Sequence, residues 1–156
     1  MEKITHIVFD HDGTLVNTSI APRQLYPGIL KLLKKLNERE IPLYVWTARH
    51  RHSLVEILRS LAIMGCFKEL STPDDATPKP SIEGLLEMFP GVKPENIVVI
   101  GDSRSDMVGG KAFGAKCVGV IWGNDNPEAH KIMRDYGADF VVSEISELEN
   151  WLLERI

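Results

Sequence analysis

Short apolar runs alternate along this chain with segments of helical periodicity, and this alternation constrains the fold more than any other feature. The first run covers residues 4–9, and the first helical segment covers residues 27–38. Strands that alternate with helices are typical of an α/β domain with a mostly parallel sheet. We therefore predict one α/β domain that spans residues 1–156, without a linker or an internal repeat.

The other elements follow from the same periodicities. A segment rich in Pro, Thr and Asp, residues 71–80, is predicted to be a loop. The later strands are predicted at 43–46, 66–70, 97–100, 116–121 and 140–142, and the later helices at 53–62, 81–88 and 103–113, with a closing helix around Leu148, Trp151 and Leu152.

Composition and charge exclude several classes of protein. Apolar residues make up 44% and charged residues 26% of the 156 residues, as in ordinary globular proteins. A net charge of -4 argues against broad attraction to nucleic acid or to anionic membranes. The chain has no apolar run of membrane-spanning length, and its first residues lack the apolar core of a signal peptide. We expect a cytoplasmic protein that binds neither nucleic acid nor membrane.

Three predicted strands run directly into reactive polar residues. The first ends at Asp10 and Asp12, the second at Thr47, and the strand 97–100 at Gly101 and Asp102, with Asp106 four residues later. Ligands of open α/β sheets bind at the carboxyl ends of the strands. Because parallel strands share one direction, these polar side chains are predicted to meet at one rim of the sheet.

Asp10 and Asp12 have two interpretations. Asp-Gly-Thr is common turn chemistry after a strand, so the pair could simply form a turn. Alternatively, Asp10 attacks phosphorus to form an aspartyl-phosphate and Asp12 protonates the leaving oxygen. Residues two apart on an extended strand share a face, and Gly13 lets the backbone leave the strand sharply. The other motifs favour the catalytic interpretation.

Thr47 could satisfy backbone groups at the end of its strand, or it could donate a hydrogen bond to a phosphoryl oxygen. Ala48, Arg49 and His50 follow it. The charges here are either ordinary solvated surface or contacts to substrate, and we list these three residues as candidate substrate-binding residues.

Lys79 lies between two prolines, just before a predicted helix, where a cation opposes the helix dipole. Helix stability therefore gives no reason for a lysine here. A restrained cation that neutralises the charge of a transferring phosphoryl group does give one. The alternative is a lysine that is merely exposed on a loop.

Asp102 and Asp106 could serve only to begin a helix, since the segment from Ser103 to Asp106 fits a capping box. However, several carboxylates at one rim would repel one another unless a cation joined them, and Mg²⁺ suits such a site. We expect Asp10 and Asp102 to bind Mg²⁺ by their side chains, Asp12 by its backbone carbonyl, and Asp106 mainly through water.

Together these residues resemble the haloacid dehalogenase superfamily of phosphohydrolases. The resemblance covers nearly the whole chain and includes four motifs in order: Asp10 to Thr14, Thr47, Lys79, and Gly101 to Asp106. The C-terminal half is most similar to phosphoglycolate-phosphatase-type members. The resemblance implies a Rossmann-like three-layer α/β/α core, Mg²⁺ as cofactor, and hydrolysis of the aspartyl-phosphate by water that Asp12 activates.

Two departures from the family pattern limit what the resemblance implies. His11 occupies a position that is usually apolar. The cap domain of phosphoglycolate phosphatases is absent, because residues 16–27 leave room only for a loop. The substrate is therefore left open as a phosphorylated small molecule or macromolecule, with a lid from a second copy of the chain as one replacement for the cap. Candidate residues for the rim of the pocket are Arg23, Gln24, Tyr26, Arg49, His50 and Trp122.

Other classes of protein share parts of this pattern. A receiver domain of a signalling pathway also has a phosphoacceptor Asp, a Thr and a Lys, but its Lys follows the Thr on the last strand, whereas Lys79 precedes Asp102 here. Dehalogenases of the superfamily lack the second Asp of the first motif. A phosphomutase would need a cap to keep water from the intermediate. A phosphatase is thus the prediction, with the receiver as its alternative.

Overall fold

The computed structural model describes residues 3–156 and contains a six-stranded sheet in which every neighbouring pair of strands is parallel. The elements in chain order are β1 (His6–Phe9), β2 (Val16–Asn17), β3 (Gln24–Leu25), α1 (Ile29–Glu38), β4 (Leu43–Trp46), α2 (Arg51–Ser60), β5 (Glu69–Ser71), α3 (Glu83–Met88), β6 (Ile97–Gly101), α4 (Arg104–Phe113), β7 (Lys116–Val120), α5 (Pro127–Asp135), β8 (Phe140–Val142) and α6 (Ile145–Leu153). The strand order is β5-β4-β1-β6-β7-β8.

Different helices cover the two faces of the sheet. Ile7 and Phe9 of β1 pack on one face with the apolar stripes of α1, α2 and α6. Val8, which points to the other face, packs with Leu85 and Met88 of α3, and α4 and α5 complete that layer around Met107. Strand residues alternate between faces, so the part of β1 that is buried on both faces, Ile7 to Phe9, is apolar at every position. The predicted three-layer α/β/α core is confirmed.

The register of the central strands places the polar residues at one rim. Phe9, the last residue of β1, pairs with Val45 of β4 and with Ile100 of β6. The chain continues beyond these three aligned residues into Asp10, Thr47 and Asp102. The predicted convergence follows directly from the parallel pairing.

The connection from β1 to α1 is short. It contains a tight turn at Gly13, which has a φ of 81°, followed by the two-residue strands β2 and β3, which pair as an antiparallel hairpin. We call residues 16–25 the hairpin. Neither this connection nor the loop between β5 and α3 contains an inserted cap domain within residues 3–156. The predicted absence of a cap is confirmed for this part of the chain.

Some boundaries differ from the prediction. The strand predicted at 66–70 begins later, as β5, because residues 64–66 form a 3₁₀ turn and only Glu69–Ser71 pair with β4. Helix α5 was not predicted, although Asn126 and Pro127 carry its signal: the Asn126 side chain accepts a hydrogen bond from the Glu128 N–H at 2.8 Å, and proline suits the first helical position. Within residues 3–156, no helix is long and apolar enough to cross a membrane.

Candidate active site

Asp10 lies at the carboxyl end of the central strand, and the site is built around it. Its backbone N–H donates to the Ile100 carbonyl at 2.9 Å, which holds Asp10 beside β6. Its side chain is buried, with one carboxylate oxygen 3.0 Å from Lys79 Nζ and the other 3.5 Å from Thr14 Oγ1. A buried carboxylate that faces a cation at the edge of a sheet is a candidate nucleophile rather than an ordinary turn residue.

Lys79 is enclosed by the site, so the alternative of an exposed loop lysine is wrong. Only 3% of its side chain is exposed. Its Nζ donates to Asp10 Oδ1 at 3.0 Å, to the Trp46 carbonyl at 3.1 Å and to Asp106 Oδ1 at 2.5 Å. All three ammonium protons therefore have partners, which fixes the cation next to Asp10.

Asp10, Asp102 and Asp106 form a carboxylate cluster. One oxygen of each lies within 4.8 Å of the others. Burial raises the pKa of Asp10 to about 6, although the charge of Lys79 opposes this shift. Burial and the nearby charge of Asp10 raise the pKa of Asp106 to about 6 as well. The pKa of Asp102 is also raised, first by loss of solvent around its carboxyl group. The cluster therefore resists carrying three negative charges by itself.

The donor set of the cluster fits a divalent metal ion. Three carboxylates against the single ammonium of Lys79 leave an excess of two negative charges. Hard oxygen ligands of this kind suit Mg²⁺, which keeps several waters and takes few ligands from the protein. Asp10 and Asp102 are the residues that could bind it directly.

Asp106 also forms hydrogen bonds with two residues that are not part of the carboxylate cluster, Ser103 and Lys79. Its Oδ2 accepts from the Ser103 N–H at 3.1 Å and from the Ser103 hydroxyl at 2.8 Å, so the capping box at the start of α4 is present. Its Oδ1 accepts from Lys79. The capping interpretation is therefore correct, and it does not exclude a role of Asp106 in the site, because the same carboxylate lies in the cluster. A water-mediated contact of Asp106 with the metal stays a prediction.

Asp12 does not belong to the carboxylate cluster. Its carboxylate accepts from Arg49 Nη2 at 2.6 Å and lies 3.2 Å from Nδ1 of His11, which is fully buried. Burial alone would raise the pKa of Asp12, but the hydrogen bonds from His11 and Arg49 outweigh it and hold the pKa well below its usual range. Asp12 thus has a different environment from Asp10, as residues with different proton-transfer roles require.

His11, whose role the sequence left open, contacts Asp12 through one ring nitrogen. The other, Nε2, has no hydrogen-bond partner within residues 3–156. An apolar residue at this position could not make the contact with Asp12.

Thr47 is buried at the end of β4, beside the cluster. Its backbone N–H donates to the Ser71 carbonyl, and its Oγ1 accepts from the Arg49 N–H at 3.0 Å. Since the oxygen is an acceptor in that contact, the hydroxyl proton is available to donate to a phosphoryl oxygen.

The candidate substrate-binding residues have different surroundings. Ala48 and His50 are exposed beside Thr47, and His50 lies 3.1 Å from Asp74. Arg23 and Gln24 are exposed in the hairpin, and Arg23 lines a cavity of about 680 Å³ with other hairpin residues and with Ser60 and Leu61, outside the carboxylate cluster.

Trp122 contacts the turn that contains Thr14. Its Nε1 donates to the Thr14 carbonyl at 2.9 Å, and its ring lies 6.2 Å from that of Tyr26. The indole therefore holds the turn that follows Asp10 and Asp12, and it also lines a cavity of about 470 Å³.

Sequence reasoning missed Thr14 as a member of the site. Its hydroxyl lies 3.5 Å from both Asp10 Oδ2 and Asp102 Oδ1, between the two carboxylates that are expected to bind the metal. The signal was its place in the first motif, directly after the Gly13 turn.

Comparison with known proteins identifies the family. The sequence matches the haloacid dehalogenase-like hydrolase family over residues 21–120, well over half of the chain. The chain belongs to the haloacid dehalogenase-like hydrolases. The family membership excludes the receiver-domain alternative, and it is consistent with all four motifs around Asp10.

Two curated relatives have names that specify an activity. The chain is 29% identical over 127 residues to the pyrophosphatase PpaX of Anoxybacillus flavithermus. The aligned region covers 79% of this chain and 57% of that protein. It is 28% identical over 102 residues to a probable phosphoglycolate phosphatase of Pseudomonas putida. That aligned region covers 64% of this chain and 41% of that protein. The chain therefore spans only about half the length of the curated relatives that it matches.

Solved structures of the family share the fold. A haloacid dehalogenase family hydrolase of Deinococcus radiodurans, with bound phosphate and sodium, superimposes with a TM-score of 0.80 at 18% identity and covers 99% of this chain and 97% of that chain. At this identity the likeness supports the α/β/α core alone.

Proposed function

We propose that this chain is a Mg²⁺-dependent phosphatase that hydrolyses phosphate monoesters through an aspartyl-phosphate on Asp10. The observation that carries the proposal is the placement of the two aspartates of the first motif. Asp10 faces Lys79 within the carboxylate cluster, whereas Asp12 lies outside the cluster and pairs with Arg49. This difference supports Asp10 as the group that attacks phosphorus and Asp12 as the group that transfers protons.

The reaction has two steps. A carboxylate oxygen of Asp10 forms a bond to phosphorus as the bond from phosphorus to the leaving oxygen breaks. Asp12, which takes up a proton when the negative charge of the substrate phosphate favours its neutral form, gives that proton to the leaving oxygen. Water then attacks phosphorus, Asp12 takes a proton from it, and the phosphorus–Asp10 bond breaks to release inorganic phosphate. Lys79 and the Thr47 hydroxyl stabilise the charge on the phosphoryl oxygens.

Asp10 and Asp102 would hold Mg²⁺ by their side chains, Asp12 by its backbone carbonyl, and Asp106 through water. When bound, the ion offsets the excess negative charge of the cluster and that of the substrate phosphate. The protein residues perform the nucleophilic attack and the proton transfers.

The substrate is proposed to be a phosphorylated small molecule or a phosphorylated macromolecule. The named relatives are a pyrophosphatase and a phosphoglycolate phosphatase, which supports phosphate release as the common chemistry. The hairpin, with strands of only two residues each, is too short to replace a cap domain over the rim. A second copy of the chain could supply the missing lid, and we place Ala48, Arg23 and His50 among the groups that such a substrate would meet.

The test is phosphate release from a generic aryl phosphate by the purified protein. We expect hydrolysis with Mg²⁺ and none with EDTA. A panel of sugar phosphates, nucleotides, phosphoglycolate, pyrophosphate and phosphopeptides, compared by kcat/KM, would then identify the substrate class. Absence of metal-dependent phosphate release from every member of the panel would refute the proposed function.

The effect of Mg²⁺ on stability should depend on pH. Without metal, Asp10 and Asp106 keep their protons to about pH 6, above the ordinary pKa of 3.8. The folded chain then binds more protons than the unfolded chain, so this contribution to the free energy of unfolding is present below pH 3.8 and is lost as the pH rises through about 6. Mg²⁺ would compete with those protons for the same carboxylates.

We therefore expect Mg²⁺ to raise the melting temperature more at about pH 7.5 than at about pH 5. At about 100 times its Kd, a ligand adds ~2.7 kcal/mol, and each kcal/mol shifts the melting temperature by roughly 2–4 °C in a domain of this size. Thermal unfolding in EDTA and in Mg²⁺ at both pH values measures this, with Asp102→Asn as the variant that should lose the shift. An equal shift at the two pH values would contradict the account of the cluster.

A further inference from the structure

We infer that Arg49 is a positioning residue that holds the Asp12 carboxylate in place for proton transfer, an inference that rests on the proposed function. The sequence had suggested Arg49 as a substrate-binding residue. In the structure its guanidinium faces Asp12: Nη2 lies 2.6 Å from Oδ1, and Nε lies 3.1 Å from Oδ2. Two parallel hydrogen bonds of this kind fix both distance and plane.

Two further groups of Arg49, its Nη1 and its backbone N–H, also form hydrogen bonds. Its Nη1 donates to the Ser53 hydroxyl at 2.7 Å in the first turn of α2. Its backbone N–H donates to Thr47 Oγ1 at 3.0 Å. The Arg49 side chain is only 23% exposed. Asp12 is thus tied through Arg49 to the start of α2 and to the end of β4.

This linkage matters because Asp12 lies outside the strands of the main sheet, where an isolated bridge to Val16 holds it just before the turn at Gly13. A general acid must come within hydrogen-bond distance of the leaving oxygen, and a displacement of ~1 Å can cost about 10²-fold in rate. His11 contacts the same carboxylate at 3.2 Å. Arg49 therefore sets where the Asp12 carboxylate lies relative to Asp10.

Arg51 provides the matched control. It lies two residues further along, at the first position of α2, and its guanidinium donates to Asp75 at 2.6 Å and to the Leu70 carbonyl at 2.9 Å. None of its hydrogen bonds within residues 3–156 reaches Asp12.

The test compares two substrates that differ in their need for a proton. A nitrophenyl phosphate has an acidic leaving group that departs unprotonated, whereas an alkyl phosphate requires an acid. In Arg49→Met we expect kcat/KM for the alkyl phosphate to fall by about 10²-fold, and that for the nitrophenyl phosphate by about 10-fold or less. Ser53→Ala should change the same ratio in the same direction by a smaller factor, and Arg51→Met should leave it unchanged.

A double-mutant cycle decides whether Arg49 acts through Asp12. In the Asp12→Asn background, Arg49→Met should have little further effect on alkyl-phosphate hydrolysis, because the group that it positions is already gone. An equal loss on both substrates with a raised KM would instead assign Arg49 to substrate binding and overturn the inference. An unchanged ratio in both Arg49→Met and Ser53→Ala would overturn it as well. Wild-type hydrolysis of both substrates separates these outcomes from failure of the proposed function.

Discussion

Asp10→Asn is expected to abolish phosphatase activity, with a loss of about 10³-fold or more in kcat, because an amide cannot form the acyl-phosphate bond. The fold should survive, since an amide oxygen can still accept from Lys79 Nζ, which lies 3.0 Å from the carboxylate. The substitution also removes one negative charge from the carboxylate cluster. In EDTA near neutral pH, the variant should therefore melt at or above the temperature of the wild type.

Steady-state phosphate release and thermal unfolding of the same preparation measure both effects. Asp139→Asn is the control for activity, because Asp139 is an aspartate outside the cluster that bonds Lys111 and the Cys117 N–H. Wild-type activity in Asp10→Asn would refute the assignment of the nucleophile.

Lys79→Met is expected to damage both stability and activity. It would leave Asp10 and Asp106 buried without their shared cation, from which they lie 3.0 and 2.5 Å away. Removing one partner of a buried ion pair costs about 3–5 kcal/mol, which lowers the melting temperature by roughly 6–20 °C in EDTA. Loss of a cation that stabilises transition-state charge should reduce kcat by about 10²–10³-fold at a temperature where the variant is folded.

A second substitution separates these two roles of Lys79. Asp106→Asn in the Lys79→Met background removes one of the unpaired charges, so stability should recover in part while activity should not. Lys131→Met, which removes an exposed lysine that pairs with Asp135, is the control and should change neither property. A melting temperature of Lys79→Met equal to that of the wild type would contradict the burial of this ion pair.

The rim of the site could be predicted from the sequence because parallel strands constrain it strongly. Once β1, β4 and β6 are parallel neighbours, Asp10, Thr47 and Asp102 must lie close together. Lys79 was found by a different kind of reasoning, since its placement between prolines before a helix had no benefit for stability. Both predictions depend on backbone direction, which apolar periodicity indicates well.

The partners of individual side chains could not be predicted in this way. The pairing of Arg49 with Asp12 depends on the path of the chain after two separate strands, and the sequence suggests only that the two residues share a rim. Trp122 is similar: its hydrogen bond to the Thr14 carbonyl joins residues 108 positions apart. Such contacts depend on tertiary packing, for which local sequence patterns carry no signal.

The most direct test of the central claim is to identify the phosphorylated residue. Asp12→Asn should slow hydrolysis of the intermediate, so this variant, mixed with Mg²⁺ and an aryl phosphate and quenched in acid, should accumulate phosphoenzyme. Mass spectrometry of its peptides should find one added phosphoryl group on Asp10. A phosphoryl group on any other residue, or turnover without a phosphorylated peptide in both the wild type and Asp12→Asn, would contradict the account.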